Sequence, residues 1–180
     1  MPEIFRTFFI ISIILTALMT AGCQQEQDSS IPQGNVPISI DIDKEVNFLR
    51  SVVKEDPGNV NAYIRMGNIF MDAKRFPEAI DAYLKALKLD PGNVNVRADL
   101  GLCYRYAGRS NLALKQYKIV IQKDPLHLNA HINMGAVLAY DFNDYEAGAK
   151  MFEKYLKLAP GAPDTVKIQN EITRLRSLKK

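Results

Sequence analysis

The sequence predicts an all-α fold, a right-handed α-solenoid in which antiparallel helix pairs stack in a row and a capping helix closes each end. The first observation is a repeat, because turn prolines recur 34, 34 and 35 residues apart at Pro57, Pro91, Pro125 and Pro160. A fixed period of this length is typical of stacked helical repeats. The second observation is apolar spacing of three and four residues within each period. The third is composition: 47% of the 180 residues are hydrophobic, which is enough for a core, and strand signals are scarce.

Residues 60–91 define one repeating unit, and residues 94–125 and 128–160 are its second and third copies. Two amphipathic helices are expected in the first copy, one carrying Tyr63, Met66, Ile69, Phe70 and Ala73, the other carrying Ala79, Ile80, Tyr83, Ala86 and Leu87. A polar connection separates the helices, and Pro77 suits the first turn of the second one. Asp90-Pro91-Gly92-Asn93 then ends the pair, because proline cannot continue a helix.

The flanking segments are predicted to be single helices that cover the ends of the stack. Residues 41–57 place Val46, Leu49, Val52 and Val53 at helical spacing, as in the second helix of a degenerate leading unit. Residues 163–180 form a C-terminal helix that Asp164 can cap, with an apolar face of Ile168, Ile172, Leu175 and Leu178. Arginines and lysines keep its other face in water, as a solenoid end requires.

Two columns of the aligned units contain only small residues: Gly67, Gly101 and Gly135 in one, and Ala79, Ala113 and Gly148 in the other. Small residues let two helix axes approach closely. A larger side chain in either column is therefore expected to destabilise the body.

The aligned units resemble the tetratricopeptide repeat, whose signature is an aromatic residue, Leu-Gly, Tyr, Ala, Phe, Ala and Pro at fixed offsets. The three copies read Tyr63, Met66, Gly67, Phe70, Ala79, Tyr83, Ala86, Pro91; Arg97, Leu100, Gly101, Tyr104, Ala113, Tyr117, Val120, Pro125; and His131, Met134, Gly135, Leu138, Gly148, Phe152, Tyr155, Pro160. Arg97 and His131 depart from the aromatic position. The third copy has one extra residue, which we expect in the connection around Tyr140 to Asp144.

The resemblance implies a concave groove, lined by the first helix of each unit, that binds a peptide or protein partner. Carried over by column, the groove residues are Asn61, Ile64, Asn68, Met71, Asp72, Asn95, Leu102, Arg105, Tyr106, Asn129, Ile132, Asn133 and Tyr140. Asparagines can bond both the N–H and the C=O of an extended peptide. Alternatively, Asn61, Asn95 and Asn129 cap their helices or face water. The carboxylate clamp of chaperone-binding members is absent, since Asp99 occupies one of its positions.

The first 40 residues are interpreted as a targeting signal followed by a flexible tether. Residues 1–22 contain an uncharged run from Thr7 to Ala21 and resemble a bacterial lipoprotein signal peptide, so Cys23 is the expected site of cleavage and lipidation. A retained membrane helix is the alternative. Residues 23–40 are a polar, lipid-anchored flexible tether. By the same resemblance, Gln24 after the cysteine favours the outer membrane, with the repeats facing the periplasm.

No motif for catalysis, cofactor binding or phosphate binding is present. His127 and His131 have metal-ligand spacing, but with Asp124 they make a poor zinc set, and we interpret them as solvated turn and groove residues. Cys103 is expected to pack as a small apolar side chain. The net charge of +3 does not indicate nucleic-acid binding, and no small-molecule substrate is expected.

Function is therefore expected to be binding. The leading hypothesis is a membrane-anchored adaptor or scaffold in envelope complex assembly, similar to pilotins or to scaffolds of cell-wall enzymes. The alternative is a permanent structural subunit that uses its convex faces. A metal-binding protein or an enzyme is the least favoured hypothesis.

Overall fold

The computed structural model describes residues 42–178, which fold into eight α-helices without a strand. The helices are α1 (Ile42–Glu55), α2 (Val60–Asp72), α3 (Phe76–Leu89), α4 (Val94–Tyr106), α5 (Ser110–Lys123), α6 (Leu128–Ala136), α7 (Tyr145–Leu158) and α8 (Thr165–Ser177). They pack as successive pairs, α2 with α3, α4 with α5 and α6 with α7, and the predicted all-α solenoid is confirmed. The predicted signal peptide, the lipidation site Cys23 and the tether lie outside the described residues. Within those residues, no helix is both long enough and apolar enough to cross a membrane.

The first helix of each pair begins in the same way. Asn59 accepts a hydrogen bond from the backbone N–H of Ala62 at 3.0 Å, and Asn93 does the same for Val96 at 3.1 Å. In the third unit His127 occupies this position, and its Nδ1 accepts from the N–H of Ala130. These side chains satisfy N–H groups that have no partner inside the helix, which explains why every unit restarts cleanly after its proline turn.

An aromatic ring of the second helix lies directly on the glycine of the first. A Cβ atom added to Gly67 would collide with the Tyr83 ring, and one added to Gly101 would come within 2.8 Å of the Tyr117 ring. Gly135 has the same relation to Phe152. The glycine column is thus required by a ring, whereas direct contact between the two small columns is seen where Gly148 meets Gly135 and Ala139 in the third pair.

The third unit takes up its extra residue in a π-helical turn, Val137–Asp141, that continues α6. A π-helical turn inserts one residue into an α-helix without ending it. The insertion therefore begins three residues earlier than the connection in which we expected it.

The end helices differ from the prediction in two details. Ile168, Ile172 and Leu175 of α8 are buried, but Leu178 lies at the helix terminus and is 44% exposed, so its assignment to the buried face is wrong. Asp164 stands at the N-cap position of α8, yet its carboxylate accepts a hydrogen bond from the Tyr155 hydroxyl at 2.8 Å and bonds no helix N–H. The capping role predicted for its side chain is also wrong, because the neighbouring hydroxyl competes for the carboxylate.

Candidate partner-binding groove

The predicted groove residues all lie on α2, α4, or α6 with its π-helical turn, and each is accessible to solvent. Seven are exposed: Asn61, Asn68, Asp72, Asn95, Tyr106, Asn129 and Tyr140. Six are half-buried: Ile64, Met71, Leu102, Arg105, Ile132 and Asn133. We use "the groove" for the surface lined by these thirteen side chains.

The repeated asparagines of the groove do not cap their helices. The capping side chains belong to Asn59, Asn93 and His127, two residues before Asn61, Asn95 and Asn129. The capping alternative is therefore wrong. Asn95 has a different role, because its Oδ1 lies 3.1 Å from Nε2 of His127 and joins the second unit to the third.

Asn68 and Leu102 occupy the same position of successive units. They give the hydroxyl groups of Tyr83 and Tyr117 different environments. The Tyr83 hydroxyl donates to Oδ1 of Asn68 at 2.7 Å. In the second unit Leu102 offers no acceptor, and the buried Tyr117 hydroxyl has no hydrogen-bond partner in the described part of the chain. Burial raises the pKa of both phenols, so both are neutral at physiological pH.

Arg105 is locked by an ion pair that the sequence analysis did not foresee. Its Nε lies 3.1 Å from Oδ2 of Asp141, and its Nη2 lies 3.1 Å from Oδ1 of the same carboxylate. The Ser110 hydroxyl donates to Asp141 at 2.7 Å. Burial pushes the pKa of Asp141 upward, but the bonds from Arg105 and Ser110 outweigh it and hold the pKa below its ordinary value. Because its charge is neutralised, Arg105 positions neighbouring units and is a weak anchor for an anionic partner.

The two exposed tyrosines of the groove are held by contacts of their own. Tyr106 stacks on Phe76 of the preceding unit with ring centroids 5.1 Å apart. Tyr140 donates its hydroxyl to Glu171 of α8 at 2.7 Å. Both rings remain about half exposed, at 58% and 46%. They are therefore oriented in advance while a large apolar surface stays open to a partner.

Asp99 lies half-buried on α4, and its side chain forms no hydrogen bond or ion pair within residues 42–178. Burial raises its pKa, and the nearby His127 partly opposes that effect. With Arg105 neutralised, the uncompensated charges along this surface are the carboxylates of Asp72 and Asp99. From the sequence alone Asp99 is only a departure from the carboxylate clamp, whereas in the structure it adds negative charge beside the groove.

The histidine pair does not form a metal site. His127 uses both ring nitrogens, one for the helix cap and one for Asn95, and Asp124 accepts from the N–H of Leu126. His131 is 3% exposed, with Nε2 bonded to the carbonyl of Pro125 at 2.9 Å, so our interpretation of this residue as solvated is wrong. It is buried because it fills the position of the usual aromatic ring. In the described residues no group of histidine, cysteine, aspartate and glutamate is arranged to hold a metal.

Cys103 is fully buried, and its predicted packing role is confirmed. Burial, followed by the charge of Asp99, raises the pKa of its thiol to about 12. The thiolate needed for nucleophilic chemistry is therefore not populated at neutral pH.

Stacked helix pairs whose first helices present an accessible surface define a helical-repeat protein. Three family models, each described as a tetratricopeptide repeat, match residues 60–93, 82–115 and 99–163. The chain belongs to the tetratricopeptide repeat proteins.

Solved structures show the same fold at low sequence identity. A crystal structure of MamA is 19% identical, with a TM-score of 0.65 over 77% of this chain and 85% of MamA. The first repeat domain of Spaghetti (RPAP3), bound to the HSP90 peptide SRMEEVD, is also 19% identical, with a TM-score of 0.60 over 66% of this chain and 93% of that domain. The Arabidopsis OM64 domain has a TM-score of 0.60 at 18% identity, over 66% of this chain and 95% of its own. No curated protein matches the chain.

Proposed function

We propose that this protein is an adaptor that holds an extended segment of a partner protein in the groove, and that its mechanism is binding rather than catalysis. The observation that carries the proposal is the open row of apolar and amide side chains on α2, α4 and α6, flanked by Tyr106 and Tyr140, which are already fixed from behind. A surface that is ordered before binding loses less conformational entropy when the partner arrives.

The groove offers two kinds of contact. Leu102 and Ile132 are half-buried and can receive apolar side chains of the partner. Asn61 and Asn129 are exposed, and their amides can bond the partner's backbone. This combination suits a segment in extended conformation, in which alternate side chains point toward the surface while the backbone groups remain unpaired.

The charge of the groove supports a partner segment without an acidic tail. The RPAP3 domains were solved with the peptides SRMEEVD and SGPTIEEVD, both of which end in acidic residues. In this chain the unpaired Asp99 and Asp72 would repel such a tail, and Arg105 is already neutralised by Asp141. We therefore propose a neutral or basic segment as the ligand.

The adaptor is proposed to be attached to a bacterial envelope through lipid on Cys23, after removal of residues 1–22, with residues 23–40 as the tether. Support comes from the sequence of the leader. Changing Cys23 to Ser should release the protein from membranes into the soluble fraction. Continued membrane retention of an unprocessed chain would favour the spanning-helix alternative.

Photocrosslinking in intact cells tests the groove. A photoreactive amino acid at position 102 or 106 should trap one discrete partner, and at the matched exposed position 115 on α5 it should not. Adding Asp99→Lys should weaken capture at position 106 if the partner segment is basic. Capture from position 115 but not from positions 102 and 106 would instead support a permanent structural subunit that uses the outer face of the stack.

A further inference from the structure

A pocket lies outside the groove, between α5, α6 and α7, and it repeats a pocket between α1, α2 and α3. Ile121, His131 and Met134 line the later pocket where Val53, Tyr63 and Met66 line the earlier one. The cavity volumes are about 500 Å³ and about 220 Å³. We call them the third-repeat pocket and the first-repeat pocket. The larger volume falls within the range of about 300–1,000 Å³ that is usual for small-molecule sites.

The two pockets differ in one ring of the wall. Tyr63 fills the wall of the first-repeat pocket, and the ammonium group of Lys85 lies 5.8 Å from its ring centroid. His131 stands at the same place in the third repeat and has a smaller ring. Met134 and Met151 supply the rest of an apolar lining, and methionine adapts readily to ligands of different shape.

The rims of the two pockets differ in charge. Lys118, Lys150 and Lys154 surround the third-repeat pocket. The first-repeat pocket keeps cations at two of these positions, Arg50 and Lys85, but has Asp81 where Lys150 stands, and Glu78 also contributes to it. Lys150 lies 3.8 Å from Glu146, whereas Lys118 and Lys154 form no ion pair within residues 42–178. Helix α5 contributes no acidic residue to offset them.

His131 adds an unsatisfied polar atom to the wall. Its Nε2 bonds the carbonyl of Pro125, which can only accept, so Nε2 carries the hydrogen of the neutral ring. Nδ1 is then an acceptor, and it is buried without a partner among the described residues. A buried acceptor without a donor is costly, and a water molecule that enters with a ligand would relieve that cost.

We propose that the third-repeat pocket binds a single-chain amphipathic anion, with an acyl chain on Ile121, Met134 and Met151 and a carboxylate head among Lys118, Lys150 and Lys154. The apolar lining accounts for the chain, and the cationic rim accounts for the head. The site is independent of the groove and of any partner held there. The first-repeat pocket, with its smaller volume and mixed rim, does not bind this ligand.

Methyl NMR of the folded protein tests the proposal with dodecanoate as the probe, below its micelle concentration, and dodecanol as the uncharged comparison. The methyl signals of Met134 and Met151 should shift and saturate with dodecanoate, while Met66 of the first-repeat pocket stays unchanged. Dodecanol should bind at least about tenfold more weakly, which corresponds to about 1.4 kcal/mol. Equal affinities for the two probes, or equal shifts at Met66, would overturn the proposal.

Variants that copy the first repeat into the third sharpen the test. His131→Tyr should fill the cavity and abolish the dodecanoate shifts. Lys150→Asp should lower the affinity for dodecanoate about tenfold and leave the affinity for dodecanol unchanged. Because Lys150 lies on the surface, this variant remains informative if His131→Tyr does not fold. Unchanged dodecanoate affinity in Lys150→Asp would refute the role of the rim. If an acidic peptide saturates the Met134 and Met151 shifts and dodecanoate does not, the site is a protein-docking surface and the proposal fails.

Discussion

The junction between the first and second repeats and the junction between the second and third are built from different chemistry at equivalent positions. At the first junction Phe76 and Tyr106 stack with an interplanar angle of 24°. Their counterparts one repeat later are Ser110 and Tyr140, and there Asp141 makes the connection by accepting bonds from Arg105 and Ser110. An apolar stack is insensitive to salt and pH, whereas an ion pair is sensitive to both.

The difference shows that the repeat preserves the contacts within each helix pair but not those between pairs. The ring-on-glycine contact recurs in all three pairs, but the contacts between pairs are specific to each junction. The side chains that make these junctions, Arg105, Tyr106 and Tyr140, are also groove residues. Rigidity of the groove and stability of the stack therefore depend on the same few residues.

Each helix pair packs as one unit, and Gly101→Leu should destabilise the second pair. The new side chain would meet the Tyr117 ring, which is fully buried and has no room to move. Overpacking of this kind costs about 1–3 kcal/mol. The urea concentration at half-unfolding, followed by circular dichroism, should be well below that of Asn95→Ala, which removes only the exposed contact with His127. If the two variants unfold at the same urea concentration, the glycine contact does not hold the pair together.

Asp141→Asn should weaken the second junction by about 1–2 kcal/mol at neutral pH, because the hydrogen bonds to a charged, partly buried carboxylate are lost. The pKa of Asp141 is lower in the folded protein than its ordinary value of 3.8. Its stabilising effect is therefore complete above that value and is lost as the pH falls through the folded pKa. Urea titrations at pH 7 and in acid should show the gap between wild type and variant closing in acid. A gap of constant size would mean that the ion pair contributes nothing.

Tyr106→Ala should weaken the first junction by about 1 kcal/mol, because an exposed aromatic pair contributes modestly. Its effect should be the same at low and high salt, in contrast to Asp141→Asn. Tyr106→Phe is the matched control, since it keeps the ring that stacks on Phe76. If the loss of stability depends on salt equally in Tyr106→Ala and Asp141→Asn, the two junctions do not differ in chemistry.

The fold could be predicted from the sequence because the features that determine it are periodic. The proline column that includes Pro91 and the glycine column that includes Gly101 repeat at nearly constant spacing. The prolines are required by a turn, and the glycines by a close approach of two helices. Even the end helices could be assigned from spacing alone. The two errors there concern Leu178, which lies at an exposed helix end, and Asp164, where a neighbouring hydroxyl bonds the carboxylate.

The candidate site was less predictable because its polar contacts join residues that are distant in sequence and do not repeat. Arg105 was assigned to the groove by column, but its partner Asp141 has no counterpart in the earlier repeats. His131 was recognised as a departure from the family pattern, yet its burial depended on the ring it replaces. The missing partner of Tyr117 could have been found by asking which residue replaces Asn68 one repeat later.

The π-helical turn Val137–Asp141 makes the three repeats non-interchangeable. A π-helical turn takes up an additional residue by widening one turn of the helix, so the end of this helix differs from the ends of α2 and α4. Asp141 reaches Arg105 from this turn, and a copy of the first or second repeat placed third would lack it. A copy of the first or the second repeat inserted directly after its original should therefore form a weaker junction, because that junction would lack both the Phe76–Tyr106 stack and the Asp141 contact.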